Sequence, residues 1–247
     1  MSGMELFLLL CAGCAAGIIN TLAGGGSFLT LAALSAAGLP ADVANGTNRL
    51  GVLLQSGISA DQFRRADKLD AAAVRWLAPA AGLGALLGSW LSLAIDPELL
   101  SRVIGVAMLA MLPILALRPK RWLEGRSQTA RPGPGAVIGL FVVGVYGGFL
   151  QAGVGIFLLA ALVLLVGQDL VRANASKVLL VCVFTAPALA VFVSRGAVDW
   201  EAGAAVAVGA GLGGLLGSRL ALRGGADLVR AVLAVVLLVS GLRMLLV

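Results

Sequence analysis

Six stretches of this chain, 76–95, 99–117, 136–166, 178–194, 202–222 and 229–247, stay apolar for close to or more than the roughly 20 residues that cross a hydrocarbon core. In lipid the backbone must satisfy its own hydrogen bonds, which a helix does within one segment. The runs therefore predict an all-α integral membrane protein with the lipid bilayer as its principal partner. Composition excludes the soluble alternative: 60% of residues are hydrophobic and only 12% charged, where soluble domains carry about 25% charged residues. The 34 glycines suit helices that approach backbone to backbone, since lipid gives apolar helices no hydrophobic reason to associate.

The chain also repeats itself. Displaced by 129 residues without gaps, Ala81-Gly-Leu-Gly-Ala-Leu-Leu-Gly-Ser89 falls on Ala210-Gly-Leu-Gly-Gly-Leu-Leu-Gly-Ser218 with one difference in nine. The same register pairs Ala23, Gly24, Gly26, Phe28 and Leu29 with Ala152, Gly153, Gly155, Phe157 and Leu158, and Ala44-Asn45 with Ala173-Asn174. We expect an N-terminal repeat over 1–118, a basic cytoplasmic linker over 119–131 and a C-terminal repeat over 132–247. Each repeat reads as four blocks, about eight apolar segments in all: a glycine-broken stretch (6–38; 136–167), a shorter helix (48–62; 177–194) and two full spans (76–95 and 99–117; 202–222 and 229–247). The first 20 residues resemble a signal peptide, but their partner segment lies in mid-chain and they carry Glu5 without Lys or Arg. They are expected to belong to the fold.

Loop charge sets the expected orientation, because cytoplasmic loops are enriched in Lys and Arg. Loop 61–75, the linker and the turn 219–230 are basic and belong inside; 95–101 and 195–201 carry acids and at most one Arg and belong outside. Equivalent loops thus fall on opposite sides, the mark of an inverted repeat. Inversion needs an odd number of crossings, so the glycine-broken first block is expected to enter and return, as a re-entrant hairpin or a helix pair. Both termini are then external. Parallel repeats of four spans are the alternative.

Polar residues interrupting apolar runs carry the functional information, since in hydrocarbon they usually face a cavity. They cluster twice, in register: Asn20, Thr21, Gly24, Gly25, Gly26, Ser27, then Asn45, Thr47, Asn48, Arg49 and Gln55 in the first half; Gln151, Gly153, Gly155, then Asn174, Ser176 and Lys177 in the second. Three adjacent glycines cost a helix about 1 kcal/mol each relative to Ala but permit a break whose N–H groups face a cavity. Ser27 is placed to cap the short helix that follows. Half-helix ends directed at the centre suit an anion; the plainer reading is close helix crossing. Arg49 and Lys177 are the cations nearest the breaks, able either to attract an oxyanion or to snorkel from helix starts. The Asn, Thr and Ser side chains near them can donate to a ligand or cap helices.

Other chemistry lacks its residues. There is no His, no clear mid-span carboxylate and no phosphate-cradling Gly-Lys-Ser/Thr loop. Cys11, Cys14 and Cys182 read as packing thiols without a metal set. No enzyme activity, metal or cofactor is expected. The net charge of +6 lies in short loops and not in an aromatic-interleaved patch, so no nucleic-acid partner is expected. The coupling ion and homo-oligomerisation are left open.

Ala23-Gly-Gly-Gly-Ser-Phe-Leu-Thr-Leu31 with Ala44-Asn-Gly-Thr-Asn-Arg-Leu-Gly-Val52, and Gly144-Val-Tyr-Gly-Gly-Phe-Leu-Gln-Ala-Gly-Val-Gly155 with Arg172-Ala-Asn-Ala-Ser-Lys177, resemble the TauE/SafE (sulfite exporter) family over nearly the full chain. The resemblance implies a bacterial inner-membrane, multi-pass permease. Its implied substrate is sulfite, a sulfonate or a related small sulfur-containing anion, held at the glycine regions and the Asn/Thr/Ser-rich turns. The second half departs from the pattern with Gly-Val-Gly in place of three glycines. Rival readings are a passive anion channel and a non-transporting membrane scaffold.

Overall fold

The structure, a computed structural model, describes residues 1–96 and 132–245, and beyond Gly224 only the helix path and Leu228. Every regular element among these residues is helical: α1 (Gly3–Leu22), α2 (Ser27–Ala36), α3 (Ala41–Arg65), α4 (Ala71–Ala94), α5 (Pro134–Phe149), α6 (Val154–Ala161) with a π-helical continuation (Leu162–Val166), α7 (Leu170–Ser194) and α8 (Trp200–Leu245). Four segments are long and apolar enough to cross a membrane: α1, α4, α7 and Trp200–Gly224 of α8. The expected span 99–117 and linker 119–131 lie outside the described residues.

Both glycine-containing blocks break where expected, after Leu22 and after Phe149, and in each the short limb folds back along the long one. Gly26 lies against Ala16, and Leu34 shares a small core with Leu9, so sequence numbers rise on one limb as they fall on the other. In the second hairpin Gly147 faces Val154, Gly139 faces Leu165, and the rings of Tyr146 and Phe157 meet edge to face at 5.0 Å. The first turn-back uses Gly24 at φ +94°; the second uses Gly153 at +74° and Gln151 at +66°. A non-glycine residue in that region is strained by roughly 1–3 kcal/mol.

Small residues fix the remaining packing. Gly13 lies against Val206, Gly17 against Ala210 and Gly213, and Gly217 against Ile18, so α1 and α8 run in the same direction in backbone contact. Gly144 against Ala81 and Gly148 against Ala85 do the same for α5 and α4. Helix α3 runs with α8, Gly51 meeting Val206 and Gly214 meeting Gln55. It runs against α7, Gly46 meeting Phe192 and Gly57 meeting Cys182. It also runs against α4, with Asn45 bonded to Ser92 beyond the short loop 66–70.

Three expectations need correction. The second block of the first repeat is not a short helix over 48–62: α3 has 25 residues and starts at Ala41, with Pro40 as N-cap. Residues 45–49 are therefore in helix and cap nothing, as are 174–177 inside α7. Pro40 and Asp169 each start the helix a turn earlier than the polar motif suggested, Asp169 by accepting from Val171 and Arg172 amides. Ser27 is the first residue of α2 and not its cap; its amide donates to Asn20 Oδ1 at 3.3 Å, so the cap comes from the preceding helix. Finally, 219–230 is no turn but part of α8, a 46-residue helix. Arg and Leu hold helical geometry well and no Pro interrupts them, while Leu222 and Leu228 pack on the core. Its first half, Trp200–Gly224, is long and apolar enough for one crossing.

Candidate functional site

The hairpin breaks meet. Gly24 is in backbone contact with Gly155 and Ile156, close enough that a Cβ on Gly24 would stand 2.5 Å from Gly155 Cα, and one on Gly155 2.6 Å from Gly24 Cα. Neither position accepts a side chain without movement. Beside this contact lies a small cavity bordered by Asn20, Gly24 and Ser27 from the first hairpin, Gln151, Val154 and Gly155 from the second, and Gln55, Ser56 and Lys177 from α3 and α7. Its free room is about 20 Å³, enough for about one water.

Two cations are buried beside the breaks, each crossing from one half to the other. Lys177 on α7 donates from Nζ to Asn20 O at 3.0 Å and Thr21 O at 3.2 Å, the last carbonyls of α1. Arg49 on α3 donates to Gly147 O at 3.2 Å, to Gly148 O and to Gln151 Oε1 at 2.7 Å, at the end of α5. Its guanidinium also stacks on Phe192, 4.5 Å from the ring centroid. Carbonyls at helix C-termini are the negative end of the dipole, which is why cations settle there. Both side chains are fully buried, and none of the ion pairs found among the described residues involves either one. Two basic side chains thus face helix ends with no carboxylate partner among the described residues.

The remaining expected residues divide into those that touch the cavity and those that support it. Asn20 donates to Ser27 Oγ at 3.1 Å. Gln55 donates to Thr21 Oγ1 at 2.8 Å, and the Thr21 and Ser59 hydroxyls are hydrogen-bonded at 2.9 Å. Asn45 reaches Phe149 O at 2.8 Å, Thr47 accepts from the Asp199 amide at 2.9 Å, and Asn48 accepts from Thr30; all three stand outside the cavity wall. Arg49, Asn174, Ser176, Gly25, Gly26 and Gly153 are likewise not on that wall. Asn174 and Ser176 are buried with no hydrogen-bond partner among the described residues. Gln151, strained as noted, accepts from Arg49 and donates to Thr185 Oγ1 at 3.0 Å. Thr185 and Thr30 were not expected; Thr185 is the displacement partner of Ser56, so the repeat register carried its signal.

This broken-helix arrangement recurs in transporters, and the comparisons agree. A family model described as "Sulfite exporter TauE/SafE" matches residues 9–244. The chain belongs to this family. Among curated relatives it is 28% identical to the "Probable membrane transporter protein ORF9" of Sinorhizobium sp over 240 residues, 97% of this chain and 92% of that one. It is 30% identical to the "Probable membrane transporter protein YfcA" of Escherichia coli K12 over 230 residues, 93% and 86% of the two chains. A Haemophilus influenzae "Probable membrane transporter protein" is 28% identical over 237 residues, 94% and 92%. No solved structure matches. For a TauE/SafE family protein the chain is thus a multi-pass membrane transporter in its coarse function, and the buried cation pair is the feature of this chain from which its substrate is argued.

Proposed function

We propose that the protein is a secondary transporter of a small sulfur-containing anion such as sulfite or a sulfonate, working by alternating access around the cavity between the two hairpin breaks. The observation that carries this is Lys177: a fully buried basic side chain on the cavity wall with carbonyl partners and no acid among the described residues. An isolated buried charge is costly, and an entering anion would supply the missing counter-charge. Asn20, Ser27, Gln55, Ser56 and Gln151 would offer neutral donors to its oxygens, with Gly24 and Gly155 giving room for close approach. Arg49, Asn45, Thr47 and Asn48 would hold the surrounding helices, while Asn174 and Ser176 make no side-chain hydrogen bond among the described residues.

We infer further that residues 1–118 and 132–247 form two inverted repeats joined by the linker 119–131. In support, the displacement of 129 carries Ala41 and Arg65 onto Leu170 and Ser194, the exact bounds of α3 and α7, and Ala71 onto Trp200, the start of α8. Helix α3 runs against α7, and α1 shares its direction with α8 while α5 shares its direction with α4. The hairpins return toward their starting side, so each half begins its long helices from the side its hairpin entered. The N-terminus is then external and the protein sits in the bacterial inner membrane; an external C-terminus would need 229–247 to turn back across the membrane, which the unbroken α8 does not do.

A four-atom or larger oxyanion needs several times the room of one water, so loading requires the hairpins to part. That favours a transporter over an open channel. The test is flux in liposomes with sulfite, sulfate, thiosulfate and methanesulfonate. Saturable flux of a sulfur anion, reduced at least tenfold by Lys177→Gln, is expected. No flux of any of these by folded protein would overturn the reading, and flux that never saturates would make the protein a channel.

A further inference from the structure

We propose that Lys177 is the coupling site as well as the anion site: it takes up a proton together with the anion on one side of the membrane and releases both on the other. This rests on the transport reading above and adds the coupling ion to it.

The geometry of the ammonium carries the argument. Nζ makes two bonds, to Asn20 O and Thr21 O. A charged ammonium has three N–H donors and a neutral amine has two N–H donors and a lone pair, so both carbonyls are satisfied in either protonation state. Only the third position changes, from lone pair to donor, and Lys177 lies on the cavity wall. Protonation therefore leaves the tether intact and creates a charged donor for an anion. Arg49 differs at every point. It stays charged at all relevant pH, is tied to Gly147, Gly148 and Gln151 and stacked on Phe192, and lies off the cavity wall.

Among the described residues, sodium has no comparable place at the breaks. The carbonyl ends at helix breaks are where a coupling cation is usually held, and both are filled by cations tethered to the chain. No cluster of acidic residues able to hold a metal exists among the described residues. The other titratable groups on the elements around Lys177 are engaged or distant in sequence from the break. On α3, Asp61 pairs with Arg64 and Arg65 and Asp42 lies at the helix start. On α4, Asp70 accepts from Gln168 and Arg75 follows one turn later. On α5, the Tyr146 hydroxyl donates to Ala152 O; α2 and α6 carry no titratable residue. On α1, Glu5 sits in the first turn, with Cys11 and Cys14 beyond it, and on α8 Glu201 pairs with the N-terminus while Arg219 and Arg223 lie toward the far end. On α7 itself Asp169 pairs with Arg172, and Cys182 lies more than a turn past Lys177.

The balance is simple. A proton from water on the loading side binds the Nζ lone pair, the anion pairs with the ammonium, and the loaded site carries the same net charge as the empty amine plus a monoanion and its proton. Release reverses both steps, so a monoanion moves without net charge.

The test uses liposomes containing the full protein, a pH-sensitive dye inside, and inward gradients of methanesulfonate or thiosulfate, whose charges are fixed around neutral pH. The expected result for the unmodified protein is internal acidification in step with anion entry, and a KM that rises with pH. In Lys177→Arg, anion exchange should fall but persist, with proton movement lost and KM flat with pH. Anion entry without proton movement in the unmodified protein overturns this proposal alone and needs no variant to interpret. Proton-coupled accumulation retained in Lys177→Arg also overturns it. Failure of folded protein to move either anion removes the sulfonate-type substrate reading and this proposal with it.

Discussion

Adding one methyl group at the meeting point of the hairpins tests the centre of the structure directly. Gly24→Ala would place Cβ 2.5 Å from Gly155 Cα and 2.9 Å from Ile156 N, against an ordinary carbon contact of about 3.5–4.0 Å. The hairpins must separate by roughly 1 Å, which overpacking data put at about 1–3 kcal/mol. Gly24 also holds φ +94°, where an L-residue costs about 1–2 kcal/mol more. The sum is about 2–5 kcal/mol. Gly155→Ala meets the same contact, with Cβ 2.6 Å from Gly24 Cα and 3.3 Å from Lys177 Cδ, but lies in helix α6, where Ala gains about 1 kcal/mol over Gly. Its net cost is about 0–2 kcal/mol. Gly82→Ala is the control: it is helical, has nothing within 4 Å of the added Cβ, and should stabilise by up to about 1 kcal/mol.

Thermal unfolding of purified protein separates these cases. At about 2–4 °C per kcal/mol for a chain of this size, Gly24→Ala should lower Tm by roughly 4–20 °C, Gly155→Ala by a few degrees, and Gly82→Ala should raise it slightly. The double variant should deviate from additivity by more than 0.5 kcal/mol, about the threshold for residues in contact. Gly24→Ala behaving like Gly82→Ala, or a strictly additive pair, would refute the claim that the breaks touch.

Arg49→Ala should destabilise by about 3–5 kcal/mol, a typical loss when one partner of a buried charged network is removed, measured as loss of folded protein on size-exclusion after heating. Asn45→Leu removes bonds to Ser92 and Phe149 O and should cost about 1–3 kcal/mol, while Asn174→Leu, at a side chain with no partner among the described residues, should be close to neutral; the pair is compared by thermal shift. In a cysteine-free background, cysteines at the exposed positions Lys68 and Arg195 should label from opposite sides of intact cells, and equal reactivity from outside would contradict the inverted repeats. Gln151→Gly should relieve the left-handed strain at that residue yet reduce flux, because it deletes the link between Arg49 and Thr185.

The helices are legible because apolar length is a one-dimensional property, and the breaks are legible because three adjacent glycines at Gly24 to Gly26 make a poor helix interior and Gly153 falls on Gly24 in the repeat register. Helix starts were less so. The polar motif at Asn45 to Arg49 looks like a cap because Asn and Thr favour caps, but in a membrane core the same residues bond across helices, and Pro40 had already started α3. The charged stretch 219–230 looks like a turn because cations leave hydrocarbon, yet Arg219 and Arg223 are compatible with helix and α8 continues through them. Among the residues that line the cavity, Lys177, Asn20 and Gln55 stand out in the sequence because polarity inside an apolar run is visible there. The separation of Lys177 on the cavity wall from Arg49 behind it was not, because Asn48 and not Arg49 is the displacement partner of Lys177, and a shift of one residue turns a helical side chain by about 100°.

That one-residue shift is where the two halves cease to be equivalent. Each half lends a basic side chain to the other half's broken hairpin, so neither break is electrostatically complete without the partner, and the cavity exists only at the junction. A perfectly duplicated pair of lysines would give two equal, titratable tethers, either of which could let go. Here Arg49 contributes a charge that does not titrate, several carbonyl and amide acceptors and an aromatic face, a geometry suited to holding the second hairpin through every step. Lys177, on two carbonyls alone, is the weaker and more adaptable tether. If the hairpins part during transport, the first should move while the second stays fixed on Arg49. Spin labels or fluorophores placed on α2 and on α6 should then report anion-dependent displacement relative to α3 for the first pair and little for the second; equal displacement of both would show that the two tethers are mechanically equivalent despite their chemistry.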